Sequence, residues 1–168
     1  MTSISIYQRE STQALNFREK IVEGLKVWMV IKPLQFLFRR SMENHTIELQ
    51  NSQKGTVGYD IYQLLKKHDL KVIPKFENHD LKHLILGYGM SSIDEIRMQM
   101  YLLGNGNYSI FCLLFAASGI LFPKAWSSFY QDYRKGKSAP SILDLSIHDC
   151  KVKKTKELKN TYNKVYLK

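Results

Sequence analysis

The sequence predicts an all-α, single-domain helical bundle, and three observations carry that prediction. Apolar residues recur at intervals of three and four along most of the chain. Clusters of Gly, Asn and Pro cut the chain into segments of helical length. No two segments alternate in the way that paired strands require. At 168 residues and 44% hydrophobic content, the chain can bury one core and has little room for a second. The expected layout is an N-terminal helical segment over 1–50, flanking a core over 51–168 that ends in a basic tail.

From Asn16 to about Ile31, the residues Phe17, Ile21, Val22, Leu25, Trp28 and Met29 form a helical stripe that Pro33 interrupts. The run Leu34, Phe36, Leu37, Phe38 ends on Arg39 and Arg40, which suits snorkelling at a membrane surface or a buried helix with a basic C-terminus. Thr56 is the expected N-cap of a helix lined by Val57, Ile61, Leu64 and Leu65, which closes on Lys66, Lys67 and His68 near Asp69. Asn78 is expected to cap a short helix from His79 to Gly87, and Gly87-Tyr88-Gly89 offers the turn that ends it. Ser91 or Ser92 opens the next helix, striped by Ile93, Ile96, Met100 and Leu103 and closed by Gly104-Asn105-Gly106-Asn107. Tyr108 to Phe122 is apolar nearly all round, as in a helix buried on every side or facing a lipid chain, and Pro123 stops it. Trp126, Phe129, Tyr130 and Tyr133 form a last aromatic stripe before Gly136 to Pro140.

The net charge of +10 is concentrated at one end: residues 151–168 hold seven lysines against Glu157. The body is only mildly basic, so a nucleic-acid partner is not indicated. The tail, with Tyr162 and Tyr166 interleaved, suits either plain solvation or contact with phosphates of lipid headgroups or RNA. Cys112 and Cys150 are far apart and form no Cys-x-x-Cys pair, which excludes a disulfide framework and a thiolate zinc site and fits a reducing compartment. Neither a secretory signal nor an apolar run of the roughly 20 residues that span a bilayer is visible. A chain on the cytoplasmic side is expected, with its strongly apolar stretches Val27 to Phe38 and Tyr108 to Phe122 either core helices or lying in a membrane interface.

His79 and His83 lie four apart, so on one helix their rings project from the same face and can converge on one ion. Asp80 is close enough to add an oxygen. Glu95 follows His83 after eleven intervening residues, across a glycine turn that lets the next helix bring it back. Two carboxylates and two neutral imidazoles balance a 2+ ion in an interior where bare charge is expensive. Nitrogen and oxygen donors suit catalytic-type Zn(II), and equally Fe(II), Co(II) or Mn(II). The candidate metal ligands are His79, Asp80, His83 and Glu95, held on a helical hairpin.

Simpler roles exist for the same residues: Asp80 as a first-turn acid and Glu95 as the third-position partner of a Ser92 capping box. A zincin would need Glu where Asp80 stands. An HD-type phosphohydrolase would recruit His45 and Asp132 or Asp144, leaving His83 and Glu95 unexplained. His45, His68 and His148 have no useful spacing, and no nucleophilic triad or phosphate-cradling glycine loop is present.

His79-Asp80-Leu81-Lys82-His83, followed after eleven residues by Glu95, resembles the signature of the Coq-four family of coenzyme Q (ubiquinone) biosynthesis proteins. Gly55-Thr56-Val57-Gly58 with Tyr62 and Leu64-Leu65 resembles the family's glycine-opened helix before the motif. Leu86-Gly87-Tyr88-Gly89 and Tyr133-Arg134-Lys135-Gly136-Lys137 extend the likeness over Asn51 to Lys159. Lys82 stands where the family often has an aromatic residue, and the first fifty residues show no match.

The resemblance implies an all-helical protein holding a divalent ion, usually zinc, on His79, Asp80, His83 and Glu95. It also implies a hydrophobic site for the polyisoprenoid tail of a quinone precursor, peripheral membrane association and contact with other quinone-pathway enzymes; a homodimer is compatible with it. Two functions follow as expectations. One is metal-assisted, oxidative decarboxylation of a polyprenyl hydroxybenzoate, with Arg134 a weaker candidate for the acidic headgroup. The other is a non-catalytic lipid-binding scaffold.

Overall fold

The structure is a computed structural model that describes residues 17–27, 32, 42–70, 72–73 and 76–162. Among them it is all helix, with no strand: α1 Phe17–Lys26, α2 Met42–Gln50, α3 Val57–Lys67, α4 Glu77–Leu86, α5 Ser92–Gly104, α6 Ile110–Ser118, α7 Trp126–Ser138, α8 Ile147–Cys150 and α9 Thr155–Tyr162. Two short 3₁₀ turns, Gly119–Leu121 and Pro123–Ala125, link α6 to α7. The all-α expectation is met. Trp28, Met29, Pro33, the run from Leu34 to Arg40, and Tyr166 with the last lysines lie outside the described residues.

Helix-on-helix packing forms two groups. In one, α3 and α4 pack on each other, α2 and α8 pack on α3, and α8 and α9 pack on α4. In the other, α5 packs on α1, α6 and, most extensively, α7. The larger core cluster joins them, since Val57, Ile61, Leu81 and Ile85 from the first group bury against Met98, Leu102 and Cys112 from the second. A smaller cluster of Val22, Ile96, Phe115, Phe122 and Phe129 fills the far side of α5.

The α5–α7 contact is set by two glycines. A Cβ on Gly104 would collide with the backbone of Tyr133, and one on Gly136 with the backbone of Tyr101, so the two helices touch main chain to main chain. Asn105 locks this crossing: its side-chain amide donates to the carbonyls of Gly136 (2.9 Å) and Pro140 (3.1 Å), and its Oδ1 accepts from Ile142 N–H (2.9 Å). The contacts advance together, Arg97 with Asp132, Tyr101 with Gly136 and Gly104 with Lys137, so the helices run in the same sense and α6 is the return between them.

Several local expectations are corrected. Helix α4 begins at Glu77, not His79; the Asn78 side chain is spent on Ile147 N–H (2.9 Å), tying α8 to α4 instead of capping. Thr56 does stand at the N-cap of α3, but its hydroxyl donates to the Gln53 carbonyl (2.6 Å) and the first amides of α3 are satisfied by the carbonyls of Lys153 (3.0 Å) and Lys151 (2.9 Å). The apolar stretch from Tyr108 is not one helix to Phe122, nor is it buried all round. Helix α6 ends at Ser118, it buries Cys112 and Phe115, and it leaves Ile110, Phe111, Leu113 and Leu114 exposed.

Candidate metal centre

Three of the four expected ligands meet. His79 and His83 project from consecutive turns of α4, and Glu95 reaches them from the first turn of α5. Ser91 makes this possible by taking the N-cap: its Oγ accepts from Asp94 N–H (3.2 Å) and donates to the Asp94 carboxylate (2.7 Å). Asp94, not Glu95, is therefore the capping acid, and the Glu95 side chain is free to turn inward.

His83 Nε2 lies 3.0 Å from His79 Nε2 and 3.1 Å from Glu95 Oε2, and His79 Nε2 lies 3.3 Å from the same oxygen. Ligands held about 2.0–2.1 Å from one zinc-like ion stand roughly 3 Å apart for angles between a right angle and the tetrahedral value. The three edges have that length. The side chains of His83 and Glu95 are 0% and 1% exposed and that of His79 is 19% exposed, so the group is buried with one lip toward solvent. It could hold a metal ion.

Two neighbours set the chemical state of the ligands. His83 Nδ1 faces the Tyr88 carbonyl at 3.3 Å; a carbonyl can only accept, so Nδ1 carries the proton. In the neutral ring, Nε2 then turns its lone pair toward the Glu95 carboxylate and His79 Nε2, and a proton or a metal cation shared among the three relieves the repulsion. Glu95 is held on its other oxygen by Gln99 Nε2 (2.9 Å). Burial pushes the Glu95 carboxyl up, but the charge and hydrogen bonds of His79 and His83 outweigh burial and hold it well below the usual carboxylate range, so it is an anion at neutral pH. Phe76 stacks on the His79 ring at 4.3 Å and restricts its rotation.

The fourth expected ligand, Asp80, is buried on α4 but is not part of this convergent group. Arg134 is exposed on α7; Asp132 is instead the buried acid of that helix. Asp132 accepts from Arg97 Nε (2.8 Å) and pairs with Lys135 (3.5 Å), while His45 pairs with Glu77 (3.2 Å). His45 and Asp132, which an HD-type phosphohydrolase would recruit, are thus engaged away from the metal group, and Asp144 is not part of it. Residues with no role beside the metal group assigned from the sequence complete the surroundings. Gln99, one turn after Glu95, was open to discovery by its i,i+4 spacing; Tyr88, Arg97 and Asp132 meet only through the fold.

Beside the site, Leu86, Tyr88, Arg97, Tyr101, Asp132 and Lys135 help line a cleft of about 280 Å³. No residue of α6 lines it. Both thiols, Cys112 and Cys150, are buried, and burial pushes each up to about 11. Among the described residues, no single helix is long and apolar enough to cross a membrane. The chain matches no protein-family model and no curated protein.

Proposed function

We propose that this chain is a divalent-metal protein of the coenzyme Q biosynthesis type, acting on a polyprenylated hydroxybenzoate at the His79–His83–Glu95 centre. The single observation that carries the reading is the buried convergence of two imidazoles and one carboxylate, whose other oxygen accepts from Gln99. Zn(II) suits this donor set, as do Co(II), Fe(II) and Mn(II). Bound there, the ion supplies Lewis-acid stabilisation of negative charge at the ring as CO2 leaves. His79, on the solvent-facing lip, marks the side of entry, and the buried His83 and Glu95 exclude water from the opposite side. Asp80 is proposed as a further oxygen donor from the same helix.

A tail docked on apolar surface contributes about 0.8 kcal/mol per buried CH2, so a few isoprene units dominate binding. The exposed face of α6 and the following turns offers that surface: Ile110 is 68% exposed and Ile120 73%, with Phe111, Leu113, Leu114 and Trp126 between them. A patch of this kind, beside Tyr108, Lys124 and Tyr130, is also what a membrane interface accepts. It favours the second reading, a lipid-binding scaffold that gathers quinone-pathway enzymes at the membrane without turnover.

Turnover distinguishes the two. Metal-loaded protein given a prenylated hydroxybenzoate and oxygen should release CO2, and Glu95→Gln should abolish that release. Binding to lipid vesicles with no CO2 release by the wild-type protein would favour the scaffold.

A further inference from the structure

The turn between α4 and α5 carries a second polar network, and its chemistry points toward His83. Gly87 has φ of 77° and ends α4 in the left-handed region, and Gly89 follows two residues later. With glycine on both sides, the backbone at Tyr88 has little stiffness of its own. Yet the Tyr88 carbonyl is the acceptor that fixes the proton on His83 Nδ1 at 3.3 Å. Its direction must therefore be set by what holds the Tyr88 side chain.

Three groups hold it. The Tyr88 side chain shares its cleft with the carboxylate of Asp132, which is 1% exposed and whose charge acts on the phenol. Burial, and then Asp132 itself, push this phenol up, so it stays protonated. The Arg97 guanidinium lies over the Tyr88 ring, 5.5 Å from its centroid, while its Nε donates to the same Asp132 at 2.8 Å. Tyr101 meets the ring edge-on at 6.3 Å. Arg97 and Tyr101 belong to α5 and Asp132 to α7, so the rigid α5–α7 pair grips a glycine-flanked turn through one aromatic side chain.

We propose that Tyr88, clamped by Asp132 and Arg97, is a positioning residue for the metal centre: it aims the carbonyl that holds His83 in the tautomer presenting Nε2. The inference rests on the metal reading above. A backbone carbonyl cannot be removed by substitution, so the phenol and its clamp are the accessible handle on this contact. Partners one shell out from a metal usually change affinity 10- to 100-fold when lost. Acting through the backbone, Tyr88→Phe belongs at the lower end, about tenfold.

The test is Co(II) titration of the full chain, following both affinity and the visible d–d absorption, for wild type, Tyr88→Phe, Arg97→Met and His83→Ala. Arg97→Met, at a partly exposed position, is the variant of choice if Tyr88→Phe does not fold. The clamp predicts about tenfold weaker Co(II) binding and an altered d–d band in both clamp variants. If the clamp variants unfold at lower denaturant but bind Co(II) with wild-type affinity and spectrum, the network is only structural and the proposal is overturned. If His83→Ala also binds Co(II) like wild type, the metal reading itself fails, and the two failures are distinguishable.

Discussion

At the scale of single residues, the ligand pair was legible because a helix makes i and i+4 neighbours whatever surrounds it. His79 and His83 needed only α4 to form. Glu95 needed a turn and a second helix, and competed with a capping role; the structure resolves the competition by giving the cap to Ser91 and Asp94. Gln99 follows from the same helical rule, being four residues after Glu95 with its amide 2.9 Å from Oε1. Replacing it with Leu leaves a buried carboxylate oxygen without its donor, and should weaken metal binding about tenfold, measured by competition with a chromophoric chelator. The Asp132–Arg97 pair was not legible, because its members are 35 residues apart and meet only when α5 and α7 pack.

At the scale of elements, segment boundaries in the core were legible wherever glycine or a serine cap marked them. Gly87 ends α4 with a left-handed φ of 77° and Ser91 starts α5. The errors share one cause, which is a side chain or backbone group recruited by a distant partner. Asn78 bonds Ile147 across 69 positions, and the opening amides of α3 are satisfied by the segment before α9. Gly136 looked like part of a basic loop, yet it lies inside α7 because nothing larger fits against Tyr101. Gly136→Ala should raise helix propensity and still destabilise the protein, by about 1–3 kcal/mol or more from overpacking, read from urea unfolding. The solvent-exposed Gly24 on α1, where a Cβ meets nothing, is the matched control, and Gly24→Ala should stabilise slightly.

At the scale of the whole molecule, the site lies where the two packing groups meet. Helix α4 belongs to one and α5 to the other, and the triad bridges them beneath the turn from Gly87 to Ser91. A single apolar core was legible from composition, whereas the apolar α6 face turned outward was not, because periodicity cannot tell a helix buried all round from one that faces lipid. An ion bound by both halves would tie them in the folded state alone. Its removal by chelation should lower the unfolding temperature, and a ligand at 100 times its dissociation constant contributes about 2.7 kcal/mol. Calorimetry with and without EDTA checks this, with readdition of Zn(II) restoring the original transition.

The most direct measurement is the metal content of the full chain after exhaustive dialysis against metal-free buffer, by mass spectrometry, for wild type, His83→Ala and Glu95→Gln. A convergent, buried ligand group predicts close to one divalent ion per wild-type chain and strong loss in both variants, with their helical circular dichroism retained. Wild-type protein that holds no stoichiometric metal when loaded with Zn(II), Co(II), Fe(II) or Mn(II), or variants that retain the full complement, would contradict the assignment of His79, His83 and Glu95 as a metal centre.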